Sequence, residues 1–219
     1  MSWQYFHPWL LSLQVAGVAI LINAATAIPL SYLLARKRFA GRWILESAVI
    51  LPLVLPPTVI GFLLMYPLGK HGPWYALTGN GLLFTVWAEI IASAIVSFPL
   101  VVLPVRAAFA AIPKEYDEEG RMAGLALWQR FLYIALPTAR GAILSGLLLG
   151  FARALGEFGA TMMLVGTLEH TRTLPIQIYY DAGLTGDLSA AWPAVGALGL
   201  TSVAVILIAN RLRWLDAER

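Results

Sequence analysis

The chain has 219 residues, 59% hydrophobic and only 12% charged, with a formal net charge of +3 and no cysteine. Soluble domains carry roughly a quarter charged residues. Half that share, in a chain with apolar runs of about 20 residues, excludes an ordinary soluble globular domain and places the protein in lipid. The missing cysteines exclude a disulfide framework, a thiolate metal site and a cysteine nucleophile.

In chain order, the start Met1-Ser2-Trp3-Gln4-Tyr5-Phe6-His7 has no basic residue and no small-residue cleavage site, so the first apolar run is expected to be retained. Five runs are long and apolar enough to span: 10–35, 47–68, 82–105, 139–165 and 191–210. Lipid cannot satisfy free backbone groups, so each is expected to be helical, or broken only where protein or water covers the break. The predicted fold is an all-α, polytopic transmembrane helical bundle of about five spans, one domain over 1–219. The second run contains Leu51-Pro52-Leu53-Val54-Leu55-Pro56-Pro57, where proline removes backbone donors and crowds the preceding turn. A kinked or interrupted helix is expected there, either as a purely structural kink or as irregular backbone beside a pathway.

Basic residues stay on the cytoplasmic side of a membrane. Arg36, Lys37, Arg38 and Arg42 follow the first run. Arg106, Lys114, Arg121, Arg130 and Arg140 lie at or between the third and fourth, and Arg211, Arg213 and Arg219 form the tail. Only Lys70 and Arg172 fall on the opposite side, and Arg153 lies inside a run. The expected orientation is N-terminus outside and C-terminus cytoplasmic, in an inner or plasma membrane. Trp3, Trp9, Tyr66, Trp74, Tyr75 and Trp192 mark the outer interface, Trp43 and Trp214 the inner one. Basic clusters beside the spans are thereby explained without a nucleic-acid partner.

The cytoplasmic connection 112–138 differs in kind. Lys114-Glu115-Tyr116-Asp117-Glu118-Glu119-Gly120-Arg121-Met122-Ala123-Gly124 reads as a short helix with acids early, favourable to the helix dipole, closed near Gly124. Apolar Leu125, Leu127, Trp128, Phe131 and Leu132 follow, and Pro137 restarts the chain into the fourth run. Two short helices joined by a glycine turn make a compact knob at the membrane face.

Within this knob Glu118, Glu119, Gly120, Gly124, Ile134, Leu136 and Pro137 resemble the loop motif of ABC importer permeases: Glu-Ala-Ala, three residues, Gly, nine residues, Ile, one residue, Leu-Pro. The spacing is complete, but Glu119 and Gly120 replace the two alanines. By this resemblance the loop is a coupling helix that docks on a separate ATPase subunit; the bland alternative is an amphipathic loop helix lying on the membrane. In the fourth run, Arg153-Ala154-Leu155-Gly156-Glu157-Phe158-Gly159-Ala160-Thr161 resembles permeases for tetrahedral oxyanions, as do the 51–62, 173–176 and 186–191 stretches. The molybdate branch is favoured, with tungstate and sulfate or thiosulfate import as alternatives. The resemblance implies two identical permease copies, two ATP-binding subunits that hold ATP and Mg, an extracytoplasmic oxyanion-binding protein, and no cofactor in this chain.

Read from chemistry alone, Arg153 and Glu157 stand four apart and can pair on a helix face. An ion pair locking helix packing and a substrate contact are both open, because charge inside a bilayer faces protein or water. Ala142, Gly146, Gly150 and Ala154 form a small-residue ridge that permits close packing. Thr58, Ser93, Ser97, Ser145 and Thr161 offer hydroxyls to a passing dianion, since a tight site would slow release. Glu89, the other acid inside a run, is expected to serve packing or a helix–helix hydrogen bond. No Gly-x-x-x-x-Gly-Lys-Ser/Thr or His-Glu-x-x-His motif occurs, so ATP hydrolysis by that route and a zinc protease are excluded. An intramembrane enzyme remains the class-level alternative to a permease.

Overall fold

The computed structural model describes residues 3–217; Arg219 and the side chains of Trp3, Arg213 and Trp214, placed above from sequence, lie outside the described residues. Every regular element among them is helical: α1 (Trp3–Arg36), α2 (Arg42–Val54), α3 (Pro57–Leu68), α4 (Pro73–Thr78), α5 (Val86–Ala111), α6 (Lys114–Met122), α7 (Leu127–Arg130), α8 (Leu136–Thr138), α9 (Arg140–Leu155), α10 (Gly159–Val165), α11 (Leu174–Tyr179) and α12 (Leu188–Ala217). Short π turns at Phe131–Ala135 and Tyr180–Leu184 join α7 to α8 and extend α11.

The central helix is α5, apolar on nearly every face because other helices cover it on several sides. It runs parallel to α1: Asn23 Nδ2 donates to Ala94 O and Ser97 Oγ, Ser31 Oγ to Val102 O, and Arg36 Nη2 to Ile112 O. The similar offsets, 71 to 76 residues, set the register of the two parallel helices. α9 runs antiparallel to both. A β-carbon on Gly146 would lie 3.2 Å from Pro104, and one on Gly150 2.6 Å from Ile20 and 2.8 Å from Val101. The ridge of small residues is therefore the surface on which α9 approaches, as expected. α12 parallels α1, tied by Tyr5 Oη to Ala190 O and Trp9 Nε1 to Thr201 Oγ1.

Three helices, 5–36, 86–111 and 188–208, are long and apolar enough to cross a membrane, or five if each of two bent pairs counts as one span. The second expected run is interrupted, with α2 ending at Val54, Pro56 preceding α3 and a bend of 118° between Arg42–Val54 and Pro57–Thr78. The fourth expected run, 139–165, needs correction. It is not continuous: α9 stops at Leu155, Gly156 closes it, and α10 begins only at Gly159. Three glycines and two charged residues within 150–159 remove both helix propensity and apolar side chains, which is why the chain parts there.

Candidate functional site

Two structures stand out: the knob at the basic end of the bundle and the pair of helix breaks within it. In the knob, α6 closes through Gly124, whose φ of +80° is the left-handed conformation that glycine adopts freely. Leu125 N–H donates to Gly120 O and Gly124 N–H to Arg121 O, the double hydrogen bond of a Schellman end. The Gln129 side chain then reaches back to accept from the Ala126 N–H at the start of α7.

The two halves of the knob are braced. Arg130 Nη1 lies 2.8 Å from Asp117 Oδ2 and also donates to the Asp117 carbonyl at 3.2 Å. Gly120 is buried beneath the second half, where a β-carbon would sit 2.8 Å from Ile134 Cδ1 and 3.1 Å from Arg130 Cδ. Two motif positions fourteen residues apart thus touch, and the glycine in place of alanine lets them touch closely. At its base Phe131 packs at a tilt against Tyr32 of α1 and Phe109 of α5, with ring centroids 5.0 and 6.2 Å away. Tyr32 and Phe109 close the triad edge-on at 5.5 Å. The outer face is apolar and uncovered, with Met122 79% and Trp128 59% exposed beside Tyr133. Glu118 and Glu119 are exposed, and Leu136 is half-buried next to exposed Pro137.

The helix breaks meet each other. Gly159, which opens α10, lies against Pro57 and Thr58, which open α3, so that a β-carbon on it would be 3.1 Å from Pro57 Cβ and 3.3 Å from the Thr58 amide nitrogen. Arg153 and Glu157 form an ion pair at 2.7 Å, with the arginine side chain 30% exposed and the glutamate 1%. The pair spans the end of α9 rather than lying along one helix, which corrects the expected single helix face. The other carboxylate oxygen of Glu157 accepts from the Ala160 N–H at 2.8 Å and so caps α10. Thr161 is buried and its hydroxyl donates to Phe158 O, while Thr58 is exposed. Ser97, further along α5, is buried, donating to Ser93 O and accepting from Asn23. Ser145 is half-buried on α9.

Of the two roles expected of Glu89, packing or a helix–helix hydrogen bond, the structure shows burial without the hydrogen bond. The residue is fully buried in the first turn of α5, yet neither carboxylate oxygen has a hydrogen-bond partner among the described residues, nor has the hydroxyl of Ser93 one turn on. The expected helix–helix hydrogen bond is therefore not made among the described residues. Sequence reasoning also passed over Asn23, Asp117 with Arg130, and the buried pair in which Gln177 Nε2 donates to both oxygens of Asp181 at 2.9 and 2.8 Å. Of these only the 117/130 pair carried a signal, opposite charges on either side of a predicted glycine turn.

Residues 27–217 match the family described as binding-protein-dependent transport system inner membrane component. The chain belongs to this family. Among relatives of this permease, the molybdenum transport system permease protein ModB of Escherichia coli K12 is 35% identical over 94% of the chain and 91% of its own length. The ModB protein of Haemophilus influenzae is 38% identical over 77% and 76%. In fold, the permease resembles a chain of a bacterial ABC transporter that imports alginate, with a TM-score of 0.77, 18% identity, and coverage of 97% and 80%. A chain of the MetNI methionine ABC transporter gives 0.76 and 16%, with coverage of 98% and 99%. This permease is thus an ABC transporter membrane component, a transport subunit rather than an enzyme.

Proposed function

We propose that this permease carries molybdate inward through a pathway between two copies of itself, driven by separate ATPase subunits that hold ATP and Mg. An extracytoplasmic binding protein delivers the anion. The observation that carries the coupling half is the braced knob: a rigid two-helix element with an uncovered apolar face, anchored by Phe131 to the two parallel helices α1 and α5. Displacement of such an element moves α9, which continues from it, and through α9 the break at Gly156. The N-terminus lies outside and the knob in the cytoplasm, as the positive-inside distribution of the basic residues requires.

Molybdate is favoured because relatives at 35–38% identity, matched over most of the chain, are named molybdenum permeases. A dianion passing the paired breaks meets the Thr58 hydroxyl and the partly exposed Arg153, whose charge is balanced by Glu157. Such a balanced cation attracts without holding, which suits conduction. The test is uptake of labelled molybdate by cells that depend on this permease, in competition with tungstate and sulfate. Molybdate and tungstate are expected to compete and sulfate to be ignored; a transport signal that sulfate abolishes refutes the assignment. Separately, a cysteine at Glu118 or Gly124 should cross-link to the ATPase subunit, and no capture in cells expressing that subunit refutes the coupling role.

A further inference from the structure

At the basic end of the bundle, a cleft of about 550 Å³ opens between the end of α1, the turn into α2, and α6. Five cations line it. Arg42 is spent on Glu46, which also binds Arg106 at 3.0 Å. Arg36 gives Nη2 to Ile112 O and keeps a buried Nε without a partner. Lys37, Arg38 and Lys114 have no side-chain ion pair or hydrogen bond among the described residues. Against these stand Asp117, already engaged by Arg130, and Glu118. The cleft therefore holds a surplus of positive charge.

Tyr32 and Leu127 also border a second groove of about 180 Å³, whose remaining wall is Pro29, Trp128 and Phe131. That wall is apolar throughout, and Pro29 stands two turns deeper along α1 than Arg36. A cationic chamber that shares Tyr32 and Leu127 with a neighbouring apolar trough suits one chemical class: a phosphate-bearing headgroup with an acyl chain attached. A free oxyanion would use the chamber and leave the trough empty.

We infer that an anionic phospholipid sits here, its phosphate among Lys37, Arg38, Lys114 and Arg36, and one chain along Pro29 and Phe131 on the inner side of the knob. Basic pockets between membrane helices take such headgroups by charge and by burying the attached chain. The lipid would bridge α1 to both halves of the knob. It rests on the knob lying at the membrane face, as proposed above, and is independent of which oxyanion is carried.

The experiment is native mass spectrometry of the full-length permease in micelles containing equal phosphatidylglycerol and phosphatidylcholine. Phosphatidylglycerol is expected to be retained in preference, and each of Lys37→Gln, Arg38→Gln and Lys114→Gln to weaken that retention about fivefold. Lys37→Arg with Lys114→Arg should keep it, and Leu127→Ser should lower it while leaving the helical circular dichroism unchanged. Equal retention of the two lipids, or a triple Gln variant that retains phosphatidylglycerol like the parent, overturns the inference. Displacement of the lipid by inorganic phosphate or molybdate would show a free-anion site instead. Loss of ATPase capture in the triple variant with lipid retention unchanged would show a protein contact instead. Molybdate uptake by the parent permease tests the transport reading separately.

Discussion

A β-carbon built on Gly61 lies 2.7 Å from the Ala160 carbonyl oxygen and 2.9 Å from its Cα, both backbone atoms that no rotamer change can move aside. Gly61→Ala must therefore push α3 off α10, and overpacking of this kind costs about 1–3 kcal/mol. A lowered melting temperature in detergent and reduced uptake are expected. Gly120 faces the opposite situation, because its nearest neighbour is the mobile end of Ile134. Gly120→Ala is expected to be neutral or to raise stability by up to about 1 kcal/mol through helix propensity. Gly120→Leu should part the halves of the knob and abolish ATPase capture. At the start of α12, Asp187 accepts from the Ser189 hydroxyl and the Ala190 N–H, and these hydrogen bonds hold its carboxyl below the usual carboxylate value. A depressed folded value means the cap is intact above the ordinary carboxylate range and is lost as pH falls through the lowered one. The protection of the Ala190 amide relative to its intrinsic exchange rate should fall on acidification through that window, and Asp187→Asn should remove this change in protection.

Between elements, the contacts that matter are few and directional. Phe131 is the aromatic joint between the knob and helices α1 and α5. Phe131→Ala removes a half-buried ring at a cost of about 3 kcal/mol. The ATPase subunit is expected still to be captured, but binding protein should no longer stimulate its ATP turnover; full stimulation would show that force reaches the spans by another route. At the break between α9 and α10, Arg153 and Glu157 act as a unit. Removing either partner alone leaves the other's charge uncompensated, which in a fully buried pair costs about 3–5 kcal/mol. Arg153 is part exposed, so about 2 kcal/mol is expected for Glu157→Gln, and the double variant with Arg153→Gln should recover part of it. Thermal unfolding of the three variants decides between a packing pair and independent roles.

At the scale of the whole molecule, α1, α5 and α12 run one way and α2 and α9 the other, so the basic segments 36–42, 106–114 and 130–140 gather at one end. Cysteines at Lys37 and Gly124 should react with an impermeant label only from the cytoplasmic side, and one at Gly79 only from the outside; any crossing of this pattern contradicts the orientation. The class of fold was open to sequence reading because lipid imposes a single rule, that backbone groups pair within each span, and long apolar runs report it directly. The knob was legible for a related reason: the acids, the glycine and the proline act on their own helix ends, locally in the chain. So was the break at Leu55-Pro56, where proline blocks the helix whatever surrounds it. The second break was not legible, since Gly156 to Gly159 is tolerable within a helix and parts only because Glu157 finds the Ala160 amide and Gly159 finds Pro57. Nor could sequence show that Glu89 would lack the partner expected of it, or that Lys37, Arg38 and Lys114 would converge on one cleft. Those outcomes belong to tertiary structure because they depend on which surfaces meet across more than 70 residues of chain. The parallel register of α1 on α5 settles that, and the pairings in the chain's local pattern do not.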